Sequence, residues 1–244
     1  MQELTTLPDY QRLDGAVPVL YPPEMEDRAR ELCSLLETGV RELSAILEVE
    51  PPELQALLVA EEDWKEAPRE SSKPYPPGLP YFTHSTAPPA LVMPERLSPA
   101  FRPRTEALFP LTVWHELAHA FLLQAEVVRT PVWLREFVPQ AATVAVARRT
   151  KLPLDEHLSQ VNRPNFAVRE FGGRAGAEEQ MAFQNLLLLL GDAALEEFGD
   201  GFLGGLARAL WDEEDVVDEE RAEELLADAL GTGGREWLLS RPEF

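Results

Sequence analysis

Apolar residues at Met25, Ala29, Leu32, Leu36, Val40, Leu43 and Leu47 step by three or four positions, the spacing that lines one side of an α-helix. Pro22 and Pro23 precede the run and Pro51 and Pro52 stop it, so one long amphipathic helix is predicted between two proline pairs. The residues ahead of it are mixed in character and read as a loop-like start. Leu54 to Ala60 is a short apolar run that suits a buried strand, although a helical turn has the same pattern over so few residues. Glu66 to Pro80 holds five prolines and Gly78 and reads as an irregular surface loop. Tyr81 to Pro94 has strand-prone ends around Ala87-Pro88-Pro89, which fits a bent hairpin or an edge strand, where proline removes no ladder hydrogen bond.

From Pro110 the pattern returns to a helical one through Leu111, Val113, His115, Leu117, His119 and Leu122. A second long helix is expected from Pro110 to Val127, with the proline in its first turn. Arg129, Thr130 and Pro131 break it. A third helix, Leu134 to Arg149, is expected next, with Pro139 in its opening turn and the apolar stretch Ala141 to Ala147 buried. A proline-punctuated loop with Gly172, Gly173 and Gly176 follows, and then helices over Glu178–Leu190, Ala193–Leu210 and Asp218–Leu230. The predicted class is α+β. Residues 1–127 would hold the first helix, a small sheet and the second long helix, and residues 128–244 a helical part, the two forming one compact unit.

Composition narrows the function. With 244 residues, 45% of them hydrophobic, the chain can build a core of its own. The formal charge of −21 repels phosphate backbones and anionic lipid, so neither nucleic acid nor a membrane is an expected partner. The acidic residues Asp212, Glu213, Glu214, Asp215, Asp218, Glu219 and Glu220 read as a solvated face at the mouth of a helix. The amino-terminal residues lack the pattern of a secretory signal, and the longest apolar run, Leu186 to Leu190, is far short of the roughly 20 residues of a membrane helix. The single cysteine, Cys33, has no internal partner for a disulfide, which agrees with a cytoplasmic location, and it reads as a small apolar residue on the first helix.

Chemistry concentrates at His115-Glu116-Leu117-Ala118-His119, an HExxH pattern. On a helix, positions i and i+4 share a face, so both imidazoles can take corners of one zinc tetrahedron. Glu116 is turned by about 100 degrees from His115, out of competition for the same corner but able to act as a general base. A catalytic zinc needs a third protein ligand from another element. Glu136, in Trp133-Leu134-Arg135-Glu136, lies at the start of the next helix, where an antiparallel return would bring it beside the histidines. His157, in a polar loop, and His84, in the edge-like strand, are weaker candidates.

With these residues in place, the chain resembles the gluzincin zinc metallopeptidases, and within them the small bacterial group called peptidase MA-like. His115 to His119 (HELAH) is similar to that group's zinc-binding helix, and Trp133 to Glu136 (WLRE) to the Trp-Leu-x-Glu around its third ligand. The long first helix, the edge strand before HExxH and the late leucine-rich segment ending at Glu236-Trp237-Leu238 look alike as well. The resemblance implies a zincin-like fold and a zinc ion held by His115, His119 and Glu136. In such an enzyme the metal polarises the scissile carbonyl and acidifies a water, and Glu116 moves that water's proton to the leaving amine. It also implies a peptide or protein substrate paired along the edge strand.

The chain departs from the family in three places. Phe137, Val138 and Pro139 follow Glu136 where the family commonly has Gly and then small residues. Gln140 stands where some gluzincins carry an Asp that supports a histidine ligand. No tyrosine follows Tyr81, so the usual downstream donor to an oxyanion is missing, and His157, Arg169 and Arg174 are replacements by residue type alone. An aminopeptidase motif is also missing, which points to an endopeptidase. The alternative is a non-catalytic binding or scaffold protein that keeps the gluzincin shape and its zinc.

Overall fold

In a computed structural model of the protein, residues 9–70, 75–98, 105–123, 130–154, 158, 166–171 and 177–244 are described. The class is α+β: a five-stranded sheet accompanied by helices. The chain divides into two compact units, Met1–Arg41 with Pro51–Phe121, and Glu42–Glu50 with Leu122–Phe244.

The first unit is built on the sheet, with β1 (Gln11–Leu13), β2 (Val19–Tyr21), β3 (Gln55–Val59), β4 (Tyr81–Thr83) and β5 (Ala90–Pro94) in the order β1-β2-β3-β5-β4. The three central strands are parallel, and β1 and β4 run antiparallel at the two edges. Every residue of β3 and β5 is buried, as expected of parallel strands covered on both faces, so their sequences show a continuous apolar run without alternation. The strand expected over Leu54–Ala60 is β3. The hairpin expected over Tyr81–Pro94 is β4 and β5, although only β4 lies at an edge.

Two expectations about this unit are corrected. The loop-like start contains β1 and β2, each three residues long and too short to show a period. Strand β2 pairs with the neighbouring edge of β3, where Val19 faces Ala56 and Leu20 faces Leu57, and β1 pairs in turn on β2. The proline-rich stretch after Glu66 is only partly a surface loop, because Trp64, Ala67 and Tyr75 pack on the sheet face formed by Leu57, Val59, Tyr81, Ala90 and Val92. The Trp64 indole donates to the Tyr75 carbonyl at 2.9 Å, and the Tyr81 hydroxyl to the Pro68 carbonyl at 3.0 Å. These bonds pay for burying two polar aromatic groups and pin an otherwise irregular segment.

Helix α1 (Glu26–Leu47) matches the predicted amphipathic run, with Ala29, Leu32, Leu36, Leu43 and Leu47 fully buried. Cys33 is buried on it, and burial raises its thiol pKa, as for an inert core thiol. Helix α2 (Thr105–Leu123) begins five residues earlier than expected and contains Pro110, so that proline does not open the helix. Residues 124–127, also assigned to it from the sequence, fall outside the described residues.

The second unit is helical: α3 (Val132–Arg149), α4 (Ala177–Phe198), α5 (Gly201–Trp211), α6 (Glu219–Leu230) and α7 (Gly234–Leu239). Pro139 is the eighth residue of α3, two turns in, and not in its opening turn. The expected break between Leu190 and Ala193 does not occur, since α4 runs through Gly191. A Cβ there would lie 3.0 Å from Ala141 Cα and 3.1 Å from Ala141 Cβ, so this glycine serves close packing of α4 on α3. The helix ends instead at Gly199, whose φ of +72° suits the left-handed residue that closes a helix. Asp218 caps α6 by accepting from Arg221 N at 2.9 Å, and Glu219 and Glu220 occupy the first turn, where the helix dipole favours carboxylates. The acidic run is thus mostly an exposed face at a helix mouth. Among the described residues no helix is long and apolar enough to cross a membrane.

Candidate metal centre

The two histidines owe their common direction to helical spacing and their depth to the packing of α2 on α1. The Trp114 indole donates to the Leu35 carbonyl at 3.0 Å, and Leu117 is fully buried. Both side chains sit against Gly39, where a Cβ would come within 2.7 Å of Leu117 Cδ2 and 2.8 Å of Trp114 Cδ1. Gly39 therefore lets the two helices approach closely on either side of His115. The Arg28 guanidinium stacks over the Phe109 ring at 3.5 Å and ties the same pair of helices one turn and a half earlier.

His115 and His119 are half-buried, with Nε2 atoms 3.2 Å apart and ring planes at 86°. Glu116, between them in sequence, is also half-buried.

Glu136 is held by a different set of contacts. Trp133 and Leu134, buried at 2% and 0% exposure, anchor the start of α3. The Trp133 indole donates to Glu219 Oε2 at 2.6 Å, and its ring meets Phe244 edge-on at 5.3 Å. Glu136 is half-buried and accepts a hydrogen bond on Oε2 from Gln184 Nε2 of α4 at 3.0 Å; its Oε1 lies 3.9 Å from Arg135 Nε.

One nitrogen from each histidine and one oxygen of Glu136 lie within 4.8 Å of one another. Among the described residues this is the one group of three or more His, Cys, Asp or Glu side chains able to hold a metal ion. Two nitrogens bound to the same tetrahedral zinc at about 2.0–2.1 Å stand about 3.3 Å apart, and the imidazole pair already matches that edge. A proton shared between the rings would tolerate the same separation, so the fit to a metal rests on the third donor. Two neutral nitrogens and one carboxylate are a donor set suited to zinc.

The other candidates lie elsewhere. His84 follows β4, exposed, with its ring edge-on to Phe82 at 5.0 Å. Arg169 is engaged near the carboxy terminus, 3.7 Å from Glu223 and 5.0 Å above the Phe244 ring. His157 and Arg174 fall outside the described residues. The residue that sequence reading missed is Gln184. Its signal was an amide placed beside the buried side chains Phe183, Leu186, Leu187 and Leu188, where a polar group calls for a partner. Compared with known proteins, the chain matches no family profile and no curated protein sequence.

Proposed function

We propose that the protein is a zinc-dependent peptidase of the gluzincin type, acting as an endopeptidase. One observation carries this reading: the donor atoms of His115, His119 and Glu136 gather within 4.8 Å, with a glutamate directly after the first histidine. These three side chains would hold the metal, which when bound supplies Lewis acidity to a carbonyl and to water. The chain's own part in the chemistry falls to Glu116, whose carboxylate takes a proton from the attacking water and delivers it to the departing amine. Strand β4 has a neighbouring strand on one side only among the described residues, so its outer edge is available to pair with an extended peptide.

Replacing Glu116 with Gln tests the assignment, because the amide keeps the shape and cannot accept the proton. Zinc content should stay at the parent level while cleavage of an unfolded protein substrate falls by about 10²–10⁴-fold. Undiminished cleavage in a zinc-loaded Glu116→Gln protein would remove the reading.

A second reading, a zinc-holding scaffold without catalysis, draws support from the tyrosines. The Tyr10, Tyr21 and Tyr81 hydroxyls donate to Asp63, Gln11 and Pro68 respectively, and so are committed to structural bonds instead of to an oxyanion. Parent protein with one equivalent of zinc that cleaves no unfolded protein or peptide mixture would select it.

A further inference from the structure

Gln184 stands out among the polar side chains that the proposed chemistry leaves unused. It comes from α4, 48 residues beyond Glu136, and Phe183, Leu186, Leu187 and Leu188 beside it on that helix are apolar and buried. Phe183 stacks on Phe171 with centroids 4.0 Å apart, and Gly191, two turns along, packs against Ala141 of α3. The helix is thus clamped on both sides of the glutamine, and the amide reaches Glu136 Oε2 at 3.0 Å. Its own Oε1 is buried and has no hydrogen-bond partner among the described residues. Turning the amide over would set that oxygen against a carboxylate that can only accept, so the donor must face Glu136 when the glutamate is ionised.

Placing an amide beside buried leucines costs desolvation, and a hydrocarbon side chain of similar volume would avoid that cost. Such a residue is expected where the group it touches has a task other than stability.

We propose that Gln184 is a positioning residue for the metal site: by holding one oxygen of Glu136, it fixes the plane in which the carboxylate offers the other to the ion. The inference rests on the zinc-binding reading above and deepens it, adding an outer partner from a third helix.

The test is direct titration of zinc against a competing chelator, with parent protein, Gln184→Met, Gln184→Leu and, as a control on the same helix, Gln180→Ala. Parent and Gln180→Ala should bind one equivalent with equal affinity. Gln184→Met should bind about 10–100-fold more weakly, the range for loss of a partner behind a metal ligand. Its metal-free unfolding temperature should be unchanged or higher, an outcome that a merely structural glutamine would not give. Gln184→Leu should repeat this result and stands in if the Met variant does not fold. Cobalt(II) provides a second readout, since the visible band of the loaded parent should change in shape when the carboxylate is released. Parent-like affinity and an unchanged cobalt band in a folded Gln184 variant would overturn this inference and leave the zinc site standing. A parent that binds no zinc would overturn both.

Discussion

The helix that carries the histidines and the helix that carries the glutamate present their side chains to the proposed metal by different routes. On α2 the relative placement of His115 and His119 is local: four residues of helix put both rings on one face, and the fold has only to keep the helix straight and at the right depth. On α3 nothing local specifies where Glu136 points. Trp133 and Leu134 sink the helix start, Ala141 meets Gly191, and Gln184 meets the carboxylate, all of them contacts over long sequence distances. A pair of ligands on one helix tolerates a damaged surrounding, whereas a lone ligand depends on every contact that orients it.

The comparison breaks most visibly if ligands are removed. Parent protein should hold one equivalent of zinc and His119→Ala and Glu136→Ala should each lose it, as read by metal analysis after gel filtration; zinc retained at parent level in either variant would take that residue out of the site. Trp133→Ala comes next. The residue is almost fully buried and bonded to Glu219, so its loss should cost about 3–5 kcal/mol in chemical unfolding and weaken zinc binding by displacing Glu136. A destabilised Trp133→Ala protein with parent zinc affinity would show that the start of α3 does not orient the ligand.

The two glycine seams sharpen the contrast further. Gly39→Ala drives a methyl into Leu117 and into a Trp114 ring fixed by its own hydrogen bond, and should destabilise by about 1–3 kcal/mol. At Gly191 the overlap is milder, and alanine's better helix propensity, about 1 kcal/mol, offsets much of the crowding. Paired denaturant curves should therefore rank Gly39→Ala well below Gly191→Ala, and the reverse order would contradict the packing described.

The smallest effect concerns pH. All four tyrosines lie in the unit that carries the histidines. Burial raises the Tyr10 and Tyr81 pKa values above the ordinary phenol value of 10.0. The native state thus keeps these protons longer than the unfolded chain. The stability they contribute is fully present below about pH 10 and is lost as pH rises through the folded values. Alkaline unfolding followed by tyrosine absorbance should begin at higher pH in Tyr10→Phe, which cannot ionise at that position.

What could be read from the sequence follows the same division. Helix α1, strand β3 and the histidine pair are periodic or closely spaced, and each was legible because a few neighbouring residues suffice to specify it. The strands β1 and β2 were illegible, since three residues carry no period and β2, on which β1 pairs, takes its own place from β3 more than thirty residues away along the chain. Gly191 reads in the sequence as a helix breaker and serves in the fold as a contact surface, because Ala141 on the other side is distant along the chain. The sequence pattern puts Pro110 and Pro139 in first turns, while the helices extend past them in the amino-terminal direction. The glutamate could be picked out by its place after a helix break, yet Gln184 could not, because its role exists only once α3 and α4 are side by side.

Pro139 also leaves a mark on how α3 opens. Lacking an amide hydrogen, it cannot close the turn onto the Arg135 carbonyl, so the ladder of the helix is interrupted one residue before Glu136. In deuterium exchange the turns ahead of the proline should therefore open separately from Gln140 to Arg149, with protection governed by how firmly Trp133 is seated. The carboxylate of Glu136, mounted on so short a segment, would swing away and return while the remainder of the helix stays closed.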